Sequence, residues 1–176
     1  MFWFTSDEHY GHRNIIKYSN RPFSSIEEMD STLISNNNSV VGKNDTVVHA
    51  GDFSLIRNPN IVYKKYVSRL VGNHIFLKGS HDYWLKKNKT IIQIWERNIN
   101  GHYVVVCHYA MRVWARSHYN SWQLYGHSHN KLDTVGKQYD IGVDNNHHYL
   151  FPISFDQIVK IMKYKPNNFN LIKEKI

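Results

Sequence analysis

The chain has 176 residues, a formal charge of +8 from 22 Lys+Arg against 14 Asp+Glu, and 41% hydrophobic residues. That length suits one domain with its own core, and the composition excludes a chain dominated by disorder. A lone cysteine, Cys107, excludes an internal disulfide and points to a reducing compartment; no run approaches the roughly 20 apolar residues of a membrane span.

Phe2 to Thr5 reads as a strand. The chain then turns acidic at Asp7-Glu8 before any signal-like apolar core forms, so the expectation is a cytoplasmic protein. Ser25 with Glu28 has the spacing of a capping box, in which the two residues satisfy each other's backbone N–H groups. It opens a predicted helix with Ile26, Met29, Leu33 and Val40 broadly on one face, ending near Gly42. Asp45 to His49 is a second strand, and Asn58-Pro59 opens another helix, because proline is tolerated at the first helical position. Ile75 to Leu77 and the valine-rich His102 to Cys107 are strands; Trp122 to Tyr125 and Gln138 to Val143 are two more. Phe155 to Met162 is a last helix, with Ser154 or Asp156 near its start. Short apolar runs alternating with amphipathic stretches predict a layered α/β protein, with one domain over 1–162 and a basic tail over 163–176. A basic surface attracts polyanions, nucleotides and nucleic acid among them; a solvated lysine-rich surface accounts for the same charge about as well, and the tail alone holds four lysines.

Nearly every predicted strand is followed at once by a residue that can bind metal or carry a proton. The strands lead in turn to Asp7 and His9, to Gly51-Asp52, to Gly79-Ser80-His81-Asp82, to His108, and to Gly126-His127-Ser128-His129. In layered α/β folds, sites form at the carboxyl ends of the strands, where loops gather side chains from distant positions. Asp7-x-His9 and His127-x-His129 each put two ligand-type side chains on the same side of an extended segment.

These five blocks, in this order, resemble the calcineurin-like metallophosphoesterase superfamily, and the match spans residues 7 to 129. The flanks Phe4-Thr5-Ser6-Asp7 and Gly11 to Ile16, with the later Ile141 to Asp144 and Pro152 to Ser154, look like its small single-domain bacterial and phage branch. The resemblance implies a fold: an α/β sandwich of two mixed β-sheets packed face to face and flanked by helices. It also implies roles. Asp7, His9 and His129 would hold one metal, His108 and His127 a second, and Asp52 would bridge them. His81 would protonate the leaving oxygen as general acid, with Asp82 orienting it. The implied cofactors are two divalent metal ions, manganese first, with iron, zinc or nickel as alternatives. The implied reaction is hydrolysis of a phosphodiester or phosphomonoester by a hydroxide bridging the metals. The expected partner is a phosphate ester, a nucleotide or nucleic-acid derivative foremost, with no membrane involved.

One position departs from the superfamily pattern. Ser80 stands where an asparagine amide would reach the second metal, and a serine hydroxyl is shorter and a poorer neutral ligand. Ser80 is kept as a ligand, acting through a water; the rival expectation is a non-catalytic protein that binds metal and phosphate through a weakened site. A nuclease is the third. His12 and Arg13 are candidate substrate contacts, since a guanidinium matches phosphate geometry, although a salt bridge at a helix end explains Arg13 equally. Asp144 reads either as support for a metal ligand or as a turn residue. Tyr83, Trp84, Trp114, Trp122 and Tyr125 read mainly as core, with base stacking as the functional alternative. Histidines 74, 102, 118, 147 and 148 belong to no motif.

Overall fold

The computed structural model describes residues 1–87 and 91–172. Among them, strands β1 (Phe2–Thr5), β2 (Thr46–His49), β3 (Asn73–Phe76) and β8 (Ile153–Ser154) form one sheet in the order β3-β2-β1-β8. Strands β4 (Ile94–Ile99), β5 (His102–Cys107), β6 (Trp122–Tyr125) and β7 (Gln138–Asp140) form the other, in chain order. Both sheets are mixed: β1, β2 and β3 run parallel with β8 antiparallel, and β5, β6 and β7 run parallel with β4 antiparallel. Four α-helices accompany them among the described residues: α1 (Ile15–Tyr18), α2 (Ile26–Val40), α3 (Pro59–Lys65) and α4 (Phe155–Tyr164). This is the expected α/β sandwich of two mixed sheets flanked by helices.

The core follows from strand alternation. Side chains on opposite faces of the first sheet enter two different apolar clusters. Phe4 and Val48 meet Val104, Val106 and Leu124 of the second sheet, with Phe155, Ile158 and Met162 of α4 in the same cluster. The second cluster gathers Met29, Leu33 and Ile34 of α2, Val62 of α3, and Tyr10, Phe53 and Tyr66. Parallel register then does the positioning. Thr5, His49 and Phe76 are paired side by side, so the loops after β1, β2 and β3 leave from one end. A parallel bridge between Ser6 and Gly142 links the two sheets at that same end.

Local details depart from expectation in readable ways. Ser25 caps α2 by accepting the Glu28 N–H, but the Glu28 carboxylate returns to the N–H and hydroxyl of Ser24, one residue early. The reciprocal capping box occurs instead at α4, between Ser154 and Gln157. β4 was not expected, because its Glu96, Arg97 and Asn98 interrupt the apolar pattern. Its signal lay in the turn: Asn100 and Gly101 have φ of 50° and 86° and join β4 to β5 with Ile99 opposite His102. That two-residue turn is the strongest short hairpin signature available. β7 stops at Asp140, whose carboxylate takes the Gly142 N–H and turns the chain out of the strand. The boundary at residue 162 falls inside α4, and Asn168 beyond it is buried, donating to the carbonyls of Ser117 and Ser121. No helix among the described residues is long and apolar enough to cross a membrane.

Candidate metal centre

Two clusters stand at the shared strand end. Asp7, His9 and His129 bring one ligand atom each within 4.8 Å of one another, and so do Asp52, His108 and His127. Both clusters could hold a metal ion. Asp52 links them: its Oδ2 lies 3.8 Å from His9 Nε2 and 3.5 Å from His108 Nε2. His81 Nε2 is 3.9 Å from the same oxygen, with 42% of its side chain exposed. The centre opens on a cleft of about 440 Å³ lined by His9, His12, Asp52, Ser80, His81, His127 and His129 together with Ile15, Tyr18, Ser19, Leu55 and Lys131.

The backbone is forced to deliver these side chains. Asp7, His9, Asp52, His127 and His129 all have positive φ, between 47° and 69°. Non-glycine residues rarely adopt that conformation, and such strain gathers where surrounding structure holds a functional geometry. Two glycines make room. A Cβ on Gly79 would sit 2.2 Å from Asp52 Oδ1 and 2.3 Å from the Asp52 nitrogen; one on Gly126 would sit 2.4 Å from Asp7 Oδ2. Asp7 in turn accepts the His127 N–H at 2.8 Å, and Asp52 accepts the His81 N–H at 2.8 Å and the Ser80 hydroxyl at 2.9 Å.

The donor set suits a cation. Nε2 of His9 and Nε2 of His108 are buried without a hydrogen-bond partner, although each faces the Asp52 carboxylate. Unpaired buried polar atoms are uncommon and ask for a missing partner. His108 donates its Nδ1–H to the carbonyl of Ala50 at 2.9 Å, which leaves the Nε2 lone pair for a ligand. His129 donates its Nδ1–H to Asp144 at 2.6 Å and is oriented the same way. Burial pushes the Asp7 carboxyl up to about 7, against the pull of His108 and His129, and burial pushes His9 down to about 3. Burial also opposes ionisation of Asp52, but the neighbouring His108 and the His81 N–H outweigh it and hold Asp52 well below the usual carboxylate range. Carboxylates and imidazoles crowded at this depth are a ligand set for a divalent ion.

All seven predicted ligands and His81 therefore meet at one point. Ser80 joins them through Asp52, to which its hydroxyl donates. One expectation is corrected. Asp82 does not orient His81: it is fully buried and accepts from the backbone N–H groups of Asp52, Phe53, Ser54 and Gly79 and from the Trp84 indole. Five donors saturate its oxygens, so Asp82 ties the Asp52 loop to the Gly79 loop. Arg13 is exposed and is not among the residues lining the cleft. Residues 12 to 19 run helically, so His12, Ile15, Tyr18 and Ser19 share the cleft face while position 13 falls off it. His12 does line the cleft, its Nδ1 3.3 Å from His9 Nδ1.

Sequence reasoning missed Arg21. Its buried guanidinium grips Asp144 at 2.8 and 2.9 Å and donates to the carbonyls of Asp7 and Glu8. No local signal marks it, because its partners are remote in sequence. Asp144 thereby supports His129 rather than merely serving a turn. Lys131, Tyr18 and Leu55 were also missed, although the 12, 15, 18, 19 spacing was there to find. Of the aromatic candidates, Trp84, Trp114, Trp122 and Tyr125 are buried core.

No protein-family model matches the chain. An uncharacterized protein of Methanocaldococcus jannaschii is 35% identical over 163 residues, covering 90% of this chain and 89% of its own length. The gene 66 protein of Mycobacterium phage L5 is 37% identical over 81 residues, 46% of this chain and 39% of its own. Among solved structures, a protein of unknown function from Aquifex aeolicus superposes with a TM-score of 0.69 at 23% identity, over 92% of this chain and 98% of that one. The last likeness concerns the fold.

Proposed function

We propose that this chain, which belongs to one family with the Methanocaldococcus jannaschii protein, is a binuclear metal-dependent phosphoesterase of the calcineurin-like superfamily. The observation that carries the reading is Asp52 Oδ2 within reach of two buried, partnerless imidazole nitrogens, 3.8 Å from His9 and 3.5 Å from His108, one from each of the two ligand clusters. Asp7, His9 and His129 would hold one divalent ion, His108 and His127 the other, and Asp52 both. When bound, two such ions supply a water of lowered pKa and a positive clamp on phosphate oxygens. Manganese is the first choice, with iron, zinc or nickel as alternatives.

The chain's own residues do the rest. His81 stands on the cleft wall, partly exposed, where a leaving oxygen could take its proton. Ser80 restrains the Asp52 carboxylate. Lys131 adds a cation toward an anionic ester. The net charge of +8 and the open cleft favour a nucleotide or nucleic-acid derivative.

The test is hydrolysis of bis(p-nitrophenyl) phosphate and p-nitrophenyl phosphate with added Mn²⁺, beside a metal count on the same sample. Metal-dependent release that disappears in Asp52→Asn, with the fold retained, is the expected result. Bound metal with no release from either ester, or near-normal activity in Asp52→Asn, would overturn it.

A further inference from the structure

Two tyrosines flank the ligand clusters, one on each side. Tyr18 ends α1 on the cleft wall with 65% of its surface exposed, and its ring meets that of His12 edge-on at 6.2 Å. His12 in turn lies against His9, ring centroids 5.3 Å apart, so Tyr18 sits outside the Asp7–His9–His129 cluster. Tyr109 follows His108 directly and is 48% exposed. Its ring lies 4.8 Å from His108 and 4.8 Å from His127, so it borders the Asp52–His108–His127 cluster. The Gln123 amide donates to the Tyr109 carbonyl at 2.9 Å and fixes its backbone.

We infer that Tyr18 and Tyr109 determine specificity at this centre, selecting a single-stranded nucleotide phosphodiester with one base stacked on each ring. The inference rests on the phosphoesterase reading above and deepens it. An ester bound at the two clusters would have Tyr18 near the first and Tyr109 beside the second. A monoester carries a single organic group and leaves one ring uncovered; a diester joining two nucleosides covers both. Exposed rings beside a cationic groove are how proteins hold unpaired bases, because every base has a face to stack. Lys131 is the one lysine or arginine lining the cleft among the described residues, and the chain's excess of basic charge suits a longer strand. Ile15 and Leu55 add apolar lining to the cleft that also holds Tyr18. In the reaction, water forms a new bond to phosphorus, the P–O bond to one nucleoside breaks, and the departing oxygen takes a proton.

The experiment compares kcat/KM of the Mn²⁺-loaded protein on a thymidine dinucleotide and on the same diester with both bases removed. The wild type should prefer the dinucleotide by about tenfold or more. Tyr18→Ala and Tyr109→Ala should each lower that preference several-fold, and Tyr18→Phe and Tyr109→Phe should keep it. A ratio near one in the wild type, or a ratio unmoved by either alanine, would overturn the inference. So would a loss confined to one alanine variant, or faster turnover of a phosphotyrosine peptide than of the dinucleotide. Hydrolysis of bis(p-nitrophenyl) phosphate without that preference leaves the phosphoesterase reading standing; failure on that ester too removes both.

Discussion

Asp144 accepts the Nδ1–H of His129 at 2.6 Å, and its two oxygens are held by the buried guanidinium of Arg21 at 2.8 and 2.9 Å. The carboxylate fixes the imidazole's tautomer and turns Nε2 toward the first cluster, and partners of this kind sustain ligand basicity. Asp144→Asn should therefore weaken binding of the first metal by about 10-fold or more. It also leaves Arg21 with less compensation in a buried setting and should cost stability on the order of 3 kcal/mol. Metal titration by calorimetry and urea unfolding of the metal-free protein separate the two effects. Unchanged metal affinity would mean that Asp144 serves Arg21 alone.

Ser80 donates to Asp52 but offers no amide oxygen to the second cluster. Ser80→Asn should tighten the weaker of two metal-binding events by about 10-fold. Unchanged stoichiometry and affinity in a Mn²⁺ titration would show that serine, or a water it holds, already completes the site.

Gly79 has no space for a side chain. A methyl group would meet the backbone nitrogen of Asp52 at 2.3 Å, and that nitrogen is already bound to Asp82. Since the loops cannot part without breaking the Asp82 network, Gly79→Ala should destabilise the fold by about 1–3 kcal/mol or more. Retained metal should fall with it. A variant with wild-type unfolding midpoint and full metal content would contradict the tight apposition of the two loops.

Asp30 supplies a pH dependence away from the metals. Burial pushes its carboxyl up to about 6 from 3.8, even though the Tyr66 hydroxyl at 2.9 Å and the Gly11 N–H at 3.2 Å favour the ionised form. A folded value above the unfolded one means the folded state holds the proton more tightly. The contribution is present in full below 3.8 and is lost as pH rises through about 6. Relative to Asp30→Asn, the wild type should lose stability between about pH 4 and about pH 7. Urea unfolding of both proteins at the two ends measures this, and a constant difference between them would remove Asp30 as the cause.

Chain order and residue type were enough to locate the candidate ligand clusters, because metal chemistry narrows the choice of side chain and strand ends narrow the place. Asp7, His9, Asp52, His108, His127 and His129 were legible as blocks following apolar runs. The layered α/β class was legible too, since alternating strands and amphipathic helices have few layered solutions, while the two-sheet sandwich followed from the resemblance that the five blocks carry. The Asn100-Gly101 turn was equally legible and was overlooked.

Other features could be decided only by tertiary structure. Whether Asp82 faces His81 or the backbone depends on how closely the Gly51 and Gly79 loops approach, which no spacing encodes. Arg21 and Asp144 are 123 residues apart and meet at the end where the Ser6–Gly142 bridge joins the two sheets. Tyr18 and Tyr109 are ordinary aromatics in the sequence, while Trp84, Trp114 and Trp122 near the motifs read mainly as core and are buried. Side-chain identity follows from local chemistry, whereas burial and partnership follow from packing between remote segments. The sequence by itself therefore determined which groups could hold metal ions, and the packing of the two sheets decided which side chains support those groups and which stay exposed in the cleft.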